Sequence, residues 1–206
     1  SEPGSIFASS SDTTEAVQEA LAEGIFIVAA AGNIDPEQNS SDVSSPASLP
    51  GVIAVGAHGK SGEPWKDSAQ GALADPETGE NRTFPNQKPE IIAPGVDLWS
   101  CIDSERDPPY AFSTGTSDST VMVTGALALI LAIHGHQIAG DDGEIDEQEM
   151  RMVKVALANS AKKIAGQVQT HDHKSGYGLL DAVEWSTQVQ KEFGIDAETT
   201  DSPDSK

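Results

Sequence analysis

A single cysteine, Cys101, rules out an intramolecular disulfide and leaves the redox compartment open. It follows Asp97-Leu98-Trp99-Ser100, a strand-like stretch with no histidine nearby, and so reads as a small apolar residue and not as a catalytic thiol. Basic residues are scarce too. Twelve Lys and Arg face 33 Asp and Glu, for a net charge of −21. Such a surface argues against nucleic acid and anionic membranes as partners. Long apolar runs are absent: the longest, residues 121–133, is broken by Thr124 and Gly125, has no basic flanks and is too short to span a bilayer. It reads as a helix buried on all sides. The first residues show no basic segment followed by an apolar core, so no secretory signal is visible.

Metal ligands are thin on the ground. His171-Asp172-His173 and His134-Gly135-His136 each offer half a site, and two ligands from a loop seldom hold a transition metal. Asp142-Gly143-Glu144-Ile145-Asp146 with Glu149 fits part of a calcium loop, but Ile138 and Gly140 stand where its first two carboxylates belong. An acidic loop capping the next helix is the simpler reading.

What the chain does have is acid distributed along its whole length. Self-repulsion of that charge is relieved when salt shortens the Debye length, to about 3 Å at 1 M. A high-salt environment is expected, with an extracellular or assembly-associated location. Elsewhere, helical patterns alternate with short apolar strands, which predicts an α/β fold with a mostly parallel sheet flanked by helices. Residues 25–31, 52–56 and 90–93 are near-continuous apolar runs, as expected of strands covered on both faces. Residues 60–87 read as loop with at most a short edge strand. Asp12 with Glu15 suggests a capping box opening a helix that runs to Gly24. Met150, Val153, Leu157, Ala161 and Ile164 trace one helix face, and residues 179–189 a last helix. Residues 1–195 are expected to form one domain and 196–206 an acidic flexible tail.

Thr114-Gly115-Thr116-Ser117-Asp118-Ser119 runs straight into the apolar helix. A serine nucleophile needs exposure, a neighbouring base and donors for an oxyanion. A glycine-flanked turn at a helix N-terminus offers the exposure, and the unsatisfied N–H groups of the first turn favour negative charge. Ser117 and Ser119 are equally readable as N-cap residues. Asn33 follows a seven-residue apolar strand, and the Gly32-Asn33 pair is readable as a turn.

The order and spacing of several segments resemble the C-terminal part of a subtilisin-like serine protease, a subtilase. Gly24-Ile25-Phe26-Ile27-Val28-Ala29-Ala30-Ala31-Gly32-Asn33 is similar to the strand that ends in the family's oxyanion asparagine. Ser45-Pro46-Ala47-Ser48, Pro50-Gly51-Val52-Ile53-Ala54-Val55-Gly56-Ala57 and Lys88-Pro89-Glu90-Ile91-Ile92-Ala93-Pro94-Gly95-Val96 follow in order. Gly115-Thr116-Ser117 matches the nucleophile triplet, Gly125-Ala126-Leu127-Ala128-Leu129 the helix behind it, and Ser175-Gly176-Tyr177-Gly178-Leu179-Leu180-Asp181-Ala182 the closing segment. The resemblance implies a subtilisin-like fold truncated at its N-terminus, and a serine endopeptidase with Ser117 as nucleophile and Asn33 in the oxyanion hole. It also implies that Ala30, Ala31, Gly32, Gly115 and Thr116 line the site of a peptide or protein substrate. No cofactor is assigned; structural calcium occurs in the family, and no ligands for it are assigned here.

Departures from the family pattern set a further expectation. Asp118, Ser119, Thr120, Val121 and Met122 replace the family's usual residues after the nucleophile. The family's Asp-Thr/Ser-Gly and His-Gly-Thr-His motifs are absent, and none of His58, His134, His136, His171 and His173 has that context. By the chain order Asp, His, Ser, both belong before residue 1. The chain is expected to be a fragment, a processed half or a split product, inactive alone, whose partner is an upstream segment carrying Asp and His. Residues 1–4 would then follow the substrate-binding edge strand. The alternative is a proteolytically silent subtilase fold serving as a structural or binding module of a larger assembly. Asp118 motivates it, because a carboxylate there would raise the pKa of a catalytic His and blunt it as a base.

Overall fold

The structure is a computed structural model that describes residues 11–34, 42–75, 78–103 and 105–195. Residues 1–4 and the expected tail from 196 onward lie outside them. Three parallel strands form the central sheet in the order β1-β2-β3: β1 (Val28–Ala30), β2 (Ile53–His58) and β3 (Ile91–Pro94). Strand alternation divides the core. Ile53, Val55, Ile91 and Ala93 point to one face and meet α2 (Thr116–Ile138), α3 (Glu147–Ser160) and α4 (Ala182–Phe193) through Val123, Leu127, Ile130, Val153, Leu157, Trp185 and Val189. Ala29, Ala31, Val52 and Ala54 point to the other, against Val43, Leu49 and Val17 of α1 (Ser11–Ala22). A short antiparallel hairpin, β4 (Leu98–Cys101) with β5 (Tyr110–Ser113), leads into α2.

Several boundaries differ from the sequence reading. α1 already includes Asp12, in its first turn, and Glu15, and the chain leaves it at Gly24, whose φ of +74° only glycine adopts freely. α3 ends at Ser160, so Ala161 and Ile164 do not continue its face: Lys162 exchanges backbone bonds with Leu179 in both directions, which draws the chain into extended form. The acidic loop before α3 does cap that helix, with the Asp146 carboxylate accepting from Gln148 and Glu149 N–H while Glu149 bonds back. The described residues of 60–87 form isolated bridges and no strand. Cys101 is exposed on the hairpin and is not a buried apolar residue.

The largest departure is α2. It runs 23 residues, longer than the apolar run suggested, and by length and composition is the one helix among the described residues able to cross a membrane. Only one side lies on the sheet. Val121, Leu129 and Ile133 are each more than 60% exposed and lie on the outer side with Gly125 and Ala132. The helix is apolar all round but is covered on one face only.

A buried ionic cluster ties α3 to the sheet. Glu90 Oε1 accepts from Lys88 Nζ at 2.9 Å and Lys154 Nζ at 2.8 Å, and Oε2 accepts from Ala54 N–H. Both ammonium groups also donate to Val52 O, and Lys154 donates to Asn86. Two cations share one anion here. Burial, outweighing Glu90 and reinforced by Lys154, lowers the Lys88 pKa from 10.5 to about 7. Because the unfolded chain holds that proton up to its higher pKa, unfolding takes up a proton between those values. Stability should therefore rise with pH from about 7 toward 10, with a slope of at most ~1.4 kcal/mol per pH unit from this group. Lys88→Met, which leaves Glu90 paired with Lys154, should flatten that slope in urea melts across this range. Parallel curves for the two proteins would contradict the assignment.

Candidate active site

Strand β1 delivers Gly32 and Asn33 to the C-terminal edge of the sheet. Ala31 is fully buried, with its N–H bonded to Val55 O and its carbonyl accepting from Ser44 N–H. Ala30 is half-buried, so these two residues present wall and not free backbone. Gly32 sits at φ +108°, and its carbonyl accepts from Ala69 N–H. Asn33 is exposed and bridges to Ser68.

The second half of the site is the entry to α2. Gly115 N–H donates to Gly95 O, and Gly95 N–H to His58 O, which seats the turn on the ends of β2 and β3. A side chain on Gly95 would collide with Ser119 Oγ and come within 2.7 Å of Gly115 O, so only glycine fits this close approach. Neither serine caps the helix: Gly115 is the N-cap and makes no side-chain cap bond. Ser119 is fully buried and donates to Ala93 O at 3.0 Å, while Ser117 is exposed.

Asn33 and Thr116, 83 residues apart, join the halves. Asn33 Oδ1 accepts from Thr116 N–H at 3.1 Å and Thr116 Oγ1 at 2.9 Å, and the Thr116 hydroxyl in turn accepts from Gly32 N–H. A backbone N–H can only donate, so the amide oxygen must face Thr116. The Asn33 NH2 group is thereby turned to the Gly115 side, where Nδ2 lies 3.4 Å from the position a Cβ on Gly115 would take. An exposed hydroxyl, a fixed amide donor and the open N–H groups of a first helical turn thus share one corner. Asp118 faces the hairpin, its Oδ2 accepting from Ser113 Oγ at 2.9 Å. The chain order of these residues is legible in the sequence, but the Thr116 relay and the Ser113 bond are not.

No described histidine is hydrogen-bonded at this corner. His58 contacts Gly59 O, His134 is buried against Ser186, and His171 contacts Pro89 O. His134 and His136 point apart, one buried and one exposed. Among the described residues no group of three His, Cys, Asp or Glu side chains converges as a metal site.

The fold is that of subtilisin-like proteases. It matches the solved prenylagaramide maturation protease PagA with a TM-score of 0.63 at 24% identity, over 89% of this chain and 57% of that one. It also matches the PatG macrocyclase solved in complex with a peptide, with a TM-score of 0.61 at 22% identity over 85% and 47% of the two chains. The subtilase family model matches residues 4–178, and the chain belongs to that family. Subtilisin E of Bacillus subtilis (strain 168) is 35% identical over 118 residues, 57% of this chain and 26% of the relative. The chain thus spans about a quarter of such relatives and about half of the solved structures.

Proposed function

We propose that this chain supplies the nucleophile and the oxyanion-binding half of a subtilisin-like serine endopeptidase centre. Ser117 Oγ attacks the scissile carbonyl, and a His from an upstream segment takes its proton while an upstream Asp holds the imidazole. The Asn33 NH2 and Ser117 N–H groups donate to the tetrahedral oxyanion. Collapse passes the proton to the leaving amine, and water then cleaves the acyl-enzyme. The observation that carries this reading is the clamp of Asn33 by Thr116, which presets a donor beside the exposed serine. Ala30, Ala31, Gly32, Gly115 and Thr116 form the wall and floor against which the peptide lies.

The upstream segment covers the exposed α2 face and pairs with the free edge of β1, whose only described strand partner is β2. In the assembled enzyme, Asn33→Ala should keep fluorophosphonate labelling of Ser117 and lower kcat roughly 10² to 10³-fold, the cost known for the equivalent loss in subtilisin. Peptide hydrolysis at an unchanged kcat would remove Asn33 from the centre.

Asp118 supports a second reading, a proteolytically silent module. Its carboxylate sits one residue from Ser117 and is fixed by Ser113. An assembled protein that binds peptide but takes no fluorophosphonate would favour it.

The −21 charge further supports a high-salt setting. The melting midpoint should keep rising in KCl beyond about 0.15 M, where ordinary screening already acts over about 8 Å. A plateau there contradicts the high-salt setting.

A further inference from the structure

Away from the Ser117 corner, a cleft of about 180 Å³ opens between the loop of residues 71–73 with Arg82 and Gln87 on one wall and Gln169, His171, Asp172 and His173 on the other. A water's share of liquid volume is about 30 Å³, so the space holds a small organic group. The first wall offers donors. The Arg82 side chain is 4% exposed, and its Nη atoms are spent on Asp42 and Ala72 O. Its Nε–H is buried with no partner, an unusual state for a guanidinium. Gln87 accepts from Tyr177 OH through Oε1, which leaves its NH2 end unengaged. The second wall offers acceptors. His171 Nε2 lies 2.9 Å from Pro89 O, a carbonyl that can only accept, so Nε2 carries the proton. Burial lowers the His171 pKa, which keeps the ring neutral and its Nδ1 an acceptor. An edge contact with Tyr177, centroids 4.9 Å apart, holds the ring in place. Asp172 is oriented by Lys174 N–H, Ser175 N–H and Ser175 Oγ.

We propose that this cleft is a binding site for a primary carboxamide, the group of an Asn or Gln side chain or of a small free amide. The carbonyl accepts from the Gln87 NH2 beside the Arg82 guanidinium, and the ligand NH2 donates to His171 Nδ1 and the Asp172 carboxylate. An anion fits less well, because Asp42 already neutralises Arg82, Asp172 faces the ligand, and the chain's net charge of −21 repels it.

The test is a titration of the full chain followed by NMR at the Arg82 Nε–H and the His171 ring. The ligands are propionamide and two near-isosteres, butanone, which lacks the donor, and propionate, which lacks it and is charged. Propionamide should shift both signals saturably and bind about tenfold more tightly than either analogue, the discrimination of one well-placed hydrogen bond. His171→Phe, which keeps a ring against Tyr177 but removes Nδ1, should weaken propionamide binding severalfold toward the level of butanone, with Asp172 still accepting from the ligand. No saturable shift with propionamide, propionate binding as tightly, or wild-type affinity in His171→Phe would each overturn the site. If that variant fails to fold, the ligand series on the wild type decides alone. The readout does not involve hydrolysis, so it stands or falls independently of the protease reading.

Discussion

Assayed alone, the 206-residue chain is expected to hydrolyse no peptide, and addition of a segment bearing an Asp-Thr/Ser-Gly and a His-Gly-Thr-His motif is expected to restore cleavage. Without a base, Ser117 remains a neutral hydroxyl, and oxyanion donors alone leave only the residual acceleration of about 10³ to 10⁴ over water seen when a triad is broken. The same surface that motivates the partner offers the control. Leu129 is 66% exposed on α2. Leu129→Glu should leave the isolated chain's stability within the ±0.5 kcal/mol or so typical of surface changes. It should nevertheless prevent restoration, because the new carboxylate would be buried unpaired beneath the added segment. Ser117-dependent hydrolysis by the chain alone would refute the split-site account. Restoration unaffected by Leu129→Glu would refute the docking face.

Why the sequence yielded so much of this site, and where it stopped, follows from the range of the interactions. The three strands of the sheet were legible because burial on both faces makes near-continuous apolar runs, and β2 is buried at five of its six positions. Glu90 interrupts that logic at the start of β3. Its charge is hidden only because Lys88, two residues away, and Lys154, on a helix far along the chain, both reach it. No local pattern announces Lys154. Burial of α2 on all sides does not follow from its composition, which reports how apolar a helix is and not how many neighbours cover it: the residues that pack on the sheet and those facing outward are equally apolar. Likewise, Asn33 and Ser117 stood out by chain order, but the bond that aims the asparagine runs through Thr116, whose hydroxyl has no sequence signature of its own. The end of α3 is hidden in the sequence for a related reason, since Ala161 keeps the helical spacing and the distant pairing of Lys162 with Leu179 draws the chain out of the helix.

The second large effect concerns Ser117 itself. In the assembled protein, Ser117→Ala should lower kcat about 10⁶-fold, as loss of the nucleophile does in subtilisin, because the hydroxyl that forms the acyl intermediate is gone. Ser119 cannot substitute: it is fully buried and its hydroxyl is committed to Ala93 O. Substrate binding should change little, so the loss should fall on kcat and not on KM. The fold should persist, since Ser117 is exposed and makes no side-chain bond among those resolved at the helix entry. The deciding measurement is mass spectrometry of the assembled protein after fluorophosphonate treatment. The account predicts one covalent adduct, on Ser117, that disappears together with peptidase activity in Ser117→Ala. An adduct on another residue, or a fully active Ser117→Ala protein, would contradict it.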